Sequence, residues 1–143
     1  MPPMVGRRGF VAGVAAGFAA TAAVTWRELP RLDAFEPPAL NGHRVEKAAL
    51  HLGAVAVRMR APDGAMYQID VLKRGAEAGV RDTRHYSLFL ANRGNGRTST
   101  DEAQGLALIA LAEWLDASDP KLPTLMTFEE RHAAHPGGLF LLT

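Results

Sequence analysis

The chain is 143 residues long, is 48% hydrophobic and carries 16 basic against 15 acidic residues, which suits one ordinary domain with a substantial core. With Arg7 and Arg8 set aside as part of the N-terminal segment, 14 basic residues face 15 acidic ones, a net charge of −1. That leaves no basic excess to hold a phosphate backbone, and nucleic acid drops out as a partner. There is no cysteine, so disulfides, thiolate-held zinc, iron–sulfur clusters and covalently attached haem are excluded, and any metal must be held by His, Asp, Glu or Met.

The N-terminal segment has three parts. A cationic pair, Arg7-Arg8, precedes an Ala- and Gly-rich stretch that carries no charge from Gly9 to Trp26, and small-residue triplets such as Ala20-Thr21-Ala22 and Thr21-Ala22-Ala23 offer cleavage sites. Arg7-Arg8-Gly9-Phe10-Val11 resembles the twin-arginine export consensus, with Arg7, Arg8 and Phe10 in the recognised positions. The resemblance implies contact with the twin-arginine translocation machinery and a final location in the periplasm or outside the cell. Residues 1–26 would be the signal, cleaved or retained as an inner-membrane anchor, and the membrane would be met through that segment alone. Because that route carries folded cargo, often with a cofactor in place, it also implies a redox or metalloenzyme context.

Residues 27–43 contain Pro30, Pro37, Pro38 and Gly42 and are expected to form an extended linker rather than a helix. A single domain is expected over 44–143. Val55, Val57 and Met59 alternate with Ala56, Arg58 and Arg60, and after Pro62-Asp63-Gly64 the residues Tyr67, Ile69 and Val71 alternate with Gln68 and Asp70. Period-two alternation about a Pro-Asp-Gly turn marks a hairpin over 54–72. A polar loop from Lys73 to Gly79 leads to a third strand over 85–92, with Tyr86, Leu88 and Leu90 on one face. Ser99-Thr100-Asp101-Glu102 is a capping box that opens a helix over 100–116, whose Leu108, Leu111, Ala112 and Leu115 form an apolar stripe. Asp119-Pro120 ends it. A second capping box at Thr127-Phe128-Glu129-Glu130 starts a short helix to about Ala134; Pro136-Gly137-Gly138 stops that, and residues 139–142 are expected to form an edge strand. The fold class is α+β, a small antiparallel sheet covered by one main helix.

Four places offer chemistry. His132 and His135, at i and i+3 on a helix, share a face and could bind copper or zinc through imidazole nitrogen, or sit in solvent at the negative end of the helix dipole. His85-Tyr86 opens a strand, so the two side chains point to opposite faces and one is available for presentation to a partner or to a metal. Arg93-Gly94-Asn95-Gly96-Arg97 precedes a helix N-terminus, where Arg93 and Arg97 could hold an anion; it lacks the spacing of a P-loop or dinucleotide fingerprint. No Gly-x-Ser-x-Gly elbow surrounds Ser87, Ser99 or Ser118, while Asp70, Asp82 and Asp101 are ordinary candidate acids or bases. These readings name no catalytic residue.

The segment Val57-Arg58-Met59-Arg60-Ala61-Pro62-Asp63-Gly64-Ala65-Met66-Tyr67, followed by His85-Tyr86 and a helix, resembles the strand, Asp-Gly turn and aromatic-initiated strand of the tyrosinase cofactor or caddie family. Those proteins are copper-delivery chaperones that escort an apo-enzyme through the twin-arginine route. The resemblance implies transient copper binding and a co-exported enzyme partner. The sequence therefore leads to an exported, non-catalytic accessory protein of a redox or metalloenzyme; the alternative is a free-standing periplasmic ligand binder or small enzyme.

Overall fold

The structure is a computed structural model that describes residues 24–38, 40–91, 102–138 and 140–143. Arg7, Arg8 and Phe10 of the signal, the Arg93–Arg97 loop and Ser99–Asp101 of the first capping box lie outside the described residues. Among the described residues, five strands form one antiparallel sheet: β1 (Arg44–His51), β2 (Ala54–Arg60), β3 (Met66–Lys73), β4 (Arg81–Asp82) and β5 (Tyr86–Ala91), in the order β1-β2-β3-β5-β4. Two helices follow, α1 (Glu102–Ser118) and α2 (Phe128–Ala134). No helix among the described residues is long and apolar enough to cross a membrane.

The expected hairpin is present with its turn chemistry. Gly64 takes φ +93°, the Ala61 N–H donates to the Ala65 carbonyl at 2.8 Å and the Gly64 N–H to the Ala61 carbonyl at 2.9 Å, and Asp63 Oδ1 accepts from the Ala65 N–H at 2.9 Å. β1 and β4 are additions to the expected three strands. β1 joins β2 through Leu52 and Gly53, both at positive φ (50° and 80°). That is the two-residue hairpin geometry usually announced by Asn-Gly, and Leu-Gly hides it.

One face of the sheet carries Val55, Val57, Met59, Ile69, Val71, Leu88 and Leu90, and the apolar stripe of α1 (Ala107, Leu108, Leu111, Leu115) packs into it. Asp119, at φ +45°, ends α1 by donating its N–H to the Leu115 carbonyl. The capping box of α2 is complete: Thr127 Oγ1 accepts from the Glu130 N–H, and Glu130 Oε1 accepts from the Thr127 N–H.

Two expectations change. Residues 27–43 are extended, as their prolines require, but they form a packed strap. Trp26, in a one-turn 3-10 helix (Trp26–Glu28), is buried against Ala49, Ala56 and Leu142 on the second face. The strap then rounds the outer edge of β1, where the Leu32 N–H donates to the Ala48 carbonyl, and buries Phe35 and Leu40 on the helix side. It therefore covers an edge that would otherwise invite pairing. The sheet's smaller-residue face lies under α2: Ala54, Leu72 and Phe89 pack there, with Phe128 stacked on Phe89 at 4.9 Å.

The second correction is at the C-terminus, where residues 140–143 form no strand. The Gln68 side chain substitutes for a pairing backbone. Its Nε2 donates to the Phe140 carbonyl and its Oε1 accepts from the Leu142 N–H, both at 2.8 Å. A primary amide has the donor and acceptor of a peptide group, so the terminal segment is held across the second face instead of extending the sheet.

Candidate functional site

The bend before β5 presents one of the expected residues. Thr83 Oγ1 accepts from the N–H groups of His85 (3.2 Å) and Tyr86 (2.8 Å), the Thr83 N–H donates to the Tyr86 carbonyl (2.7 Å), and the Arg74 N–H donates to the His85 carbonyl (3.0 Å). Arg74 Nη1 donates to the Thr83 carbonyl, and Asp116 Oδ1 of α1 accepts from the Arg84 N–H. The backbone is thus fixed from β3, α1 and within the bend, while the His85 side chain is exposed. The Tyr86 ring turns inward to the core cluster, and burial, with repulsion from Asp119, holds its phenol above the usual tyrosine range. His85 stands in the bend rather than in the strand, and its ring lies edge-on to the Tyr86 ring at 6.5 Å. Val80, 38% exposed, lies on the same connection.

His132 is exposed on α2 and packs its ring on Phe128 (4.3 Å) and edge-on to Phe140 (5.5 Å). His135 is the C-cap of α2 at φ −134°, ψ 63°, its N–H donating to the Arg131 carbonyl at 2.9 Å. Among the described residues no group of three His, Asp or Glu side chains is placed to hold a metal ion. Ser87 is buried at 1% exposure on the second face, and Asp82 accepts from the Gly79 N–H as a loop clasp.

Asp70 is part of a buried network. Arg131 Nη1 donates to its Oδ2 at 2.8 Å and Gln68 Nε2 to its Oδ1 at 2.8 Å. The remaining guanidinium donors reach the Leu52 carbonyl from Nε (2.9 Å) and the His51 carbonyl from Nη2 (3.2 Å), and the guanidinium carbon lies 4.1 Å from the Phe140 ring centroid. Each of the three guanidinium nitrogens donates to a buried acceptor, as a buried charge pair requires, and the network locks α2 and the C-terminal segment to the sheet.

A further site was not anticipated from the sequence. Leu40 and His43 pair across an Asn41-Gly42 turn at φ +54° and +85°. That turn packs on the Pro62 turn so closely that a Cβ at residue 42 would lie 3.1 Å from Pro62 Cγ. Between the two turns lies a recess of about 320 Å³, lined by His43, Pro62, Asp63, Met66, Tyr67 and Gln104 among others. His43 is 2% exposed. Its Nδ1 is 2.6 Å from the Tyr67 hydroxyl, and its Nε2 is buried without a hydrogen-bond partner. An unmatched buried nitrogen costs about 1–3 kcal/mol, and such a group calls for a reason. The one sequence cue was the Asn-Gly turn, which positions His43.

Comparison with known proteins finds no match to this chain among family models, curated proteins or solved structures.

Proposed function

We propose that this chain is an exported, non-catalytic accessory protein, an escort, metal-delivery chaperone or small subunit, which travels with a redox or metalloenzyme through the twin-arginine route and engages it outside the cytoplasm. The observation that carries this reading is the Arg84-His85 bend: an exposed imidazole on a backbone tied by Thr83, Arg74 and Asp116. Holding the backbone in advance lowers the ordering cost of association, which is roughly 0.5–1.5 kcal/mol for each flexible side chain immobilised. His85 is the residue assigned to meet the partner, and Tyr86 anchors it.

The partner is sought as an enzyme encoded beside this chain that has a metal centre and no export signal of its own. Co-expressed, the two should purify as a complex, and His85→Ala should weaken the complex or its metal loading while the melting temperature of the domain stays unchanged. A stable monomer that ignores that enzyme and turns over a substrate itself would overturn the proposal. The second reading, a free-standing ligand binder, is favoured by the His43 recess.

A further inference from the structure

We infer that the recess beside Arg58, on the second face of the sheet, is a binding site for a small organic monocarboxylate with a compact aromatic body, its carboxylate held by the Arg58 guanidinium. This recess is a different one from that of His43, and the inference does not rest on the escort reading.

The charge arrangement comes first. On the second face Lys47 stands directly opposite Arg58, and in the next row Arg44 stands directly opposite Arg60. Like charges in directly opposed cross-strand positions destabilise a sheet, so two adjoining cationic pairs call for an anion. The register shift between Val45 and Lys47 inserts Glu46 there, but its carboxylate is taken by Arg60 at 2.8 Å and Arg44 at 3.3 Å. Lys47 Nζ donates to the Trp26 carbonyl at 2.7 Å. Arg58 is half-buried and makes neither a hydrogen bond nor an ion pair with the described residues. Charges withdrawn from water are normally paired, and the planar fork of a guanidinium matches one carboxylate through two parallel hydrogen bonds.

The walls set the rest of the ligand. Arg58 borders a recess of about 200 Å³ with Trp26, Met66, Gln68 and Leu142 among others. At ~30 Å³ for each water-sized group, that is room for about six or seven of them, the scale of one ring with its carboxylate. The Gln68 amide is already engaged by Asp70, the Phe140 carbonyl and the Leu142 N–H, so Arg58 is the group left to fix a charged end. Trp26, Met66 and Leu142 are apolar, and an apolar wall with one convergent charge is the ordinary make-up of a small-ligand pocket. An aromatic body meets both the indole and the thioether favourably, whereas inorganic phosphate would leave that wall uncovered.

The fold builds the recess from distant parts of the chain. β2 supplies Arg58, β3 supplies Met66 and Gln68, the strap supplies Trp26 and the C-terminal segment supplies Leu142. The Trp26 N–H donates to the Thr143 carbonyl at 3.2 Å, so the strap and the terminal segment close the recess together.

The test is a titration of the purified, nitrogen-labelled full chain with benzoate, followed by the indole N–H resonances. Benzoate should give a saturable shift at Trp26 and none at Trp114, which packs against Phe35 on the helix side. Benzamide, which has the same shape without the charge, and inorganic phosphate, which has charge without the ring, should each bind at least tenfold more weakly. Arg58→Gln should lose at least tenfold in affinity, and Arg58→Lys, which keeps charge without the fork, should fall between. Arg58→Gln should also melt no lower than wild type, because it relieves the opposition to Lys47; a residue needed for the fold would behave otherwise. No saturable shift at millimolar benzoate, equal affinity for benzamide or phosphate, Arg58→Gln binding as tightly as wild type, or a lower melting temperature for that variant would each overturn the assignment.

Discussion

Replacing Arg131 with methionine tests the buried lock on the second face. The substitution keeps much of the side-chain length but removes the cation, leaving the Asp70 carboxylate with Gln68 alone at a side-chain exposure of 3%. It also strips the His51 and Leu52 carbonyls of their guanidinium donors. Breaking a buried pair from one side costs about 3–5 kcal/mol, because the surviving charge is stranded. At about 4 °C per kcal/mol for a domain of this size, the melting temperature should fall by roughly 12–20 °C. Arg131→Lys retains charge but not the planar fork and should fall between. Asp70→Leu combined with Arg131→Met should recover much of the loss, since apolar replacement of both partners removes the stranded charge. Urea denaturation followed by circular dichroism gives the energies. A loss below about 1 kcal/mol for Arg131→Met, the range of exposed pairs, would show that water reaches Asp70 and that the lock is not what holds α2.

Leu111, fully buried under the sheet, should not tolerate Leu111→Asp: an unpaired carboxylate there costs several kcal/mol, and a variant melting near wild type would place α1 elsewhere. Gly53→Ala should destabilise more than Gly64→Ala. Both glycines have positive φ, but a Cβ at 53 meets Met126 Cγ and Sδ at 2.6 Å whereas at 64 it meets open space; equal melting temperatures would contradict this packing. Glu129 is held below the usual carboxylate range by its own backbone N–H, helped by the Glu77 N–H that it accepts at 2.6 Å. Since its folded value is depressed, its contribution is present above the ordinary carboxylate value near 4.5 and lost as pH falls through the lower folded value. Amide exchange at Glu77 should accelerate across that window and in Glu129→Gln at neutral pH. Arg7→Lys with Arg8→Lys should stop export of a folded reporter fused to residues 1–30, because lysine keeps the charge without the guanidinium fork; normal export would sink the twin-arginine reading.

The hairpin and the start of α2 were legible because their signals are local. The Pro62-Asp63-Gly64 turn, the strand alternation and the Thr127 capping box each act within a few residues, and all appear in the structure. The second face was not legible. Ala56, Gln68 and Asp70 alternate with apolar residues in the manner of a solvated face, yet they are buried, because Arg131, Trp26 and Leu142 arrive from distant parts of the chain. Periodicity records that two faces differ, and it cannot say what covers the more polar one. The C-terminal edge strand failed for the same reason. A run of four apolar residues fits a strand by composition, but the Gln68 amide, more than seventy residues away, supplies the hydrogen bonds a neighbouring strand would have given.

The candidate sites divide along this line as well. His132 and His135 drew attention through helical spacing, which needs both residues inside the helix, and the Pro136-Gly137 stop leaves His135 at the cap. His43 drew none, since a single histidine after Asn-Gly in a proline-rich stretch reads as a turn residue. Its chemistry arises from the pairing of β1, β2 and β3, which sets it beside Tyr67 and beneath the Pro62 turn. Local spacing thus proposed two imidazoles at a helix end, while the strand register set a buried imidazole beside a phenol at one recess. His85 lies between these cases. It stands in the bend before β5, so strand alternation does not account for its exposure, and its fixed position depends on Thr83, Arg74 and Asp116, of which only the last comes from a distant element. An exposed histidine could thus be singled out from the sequence, whereas the enclosed one required the tertiary structure.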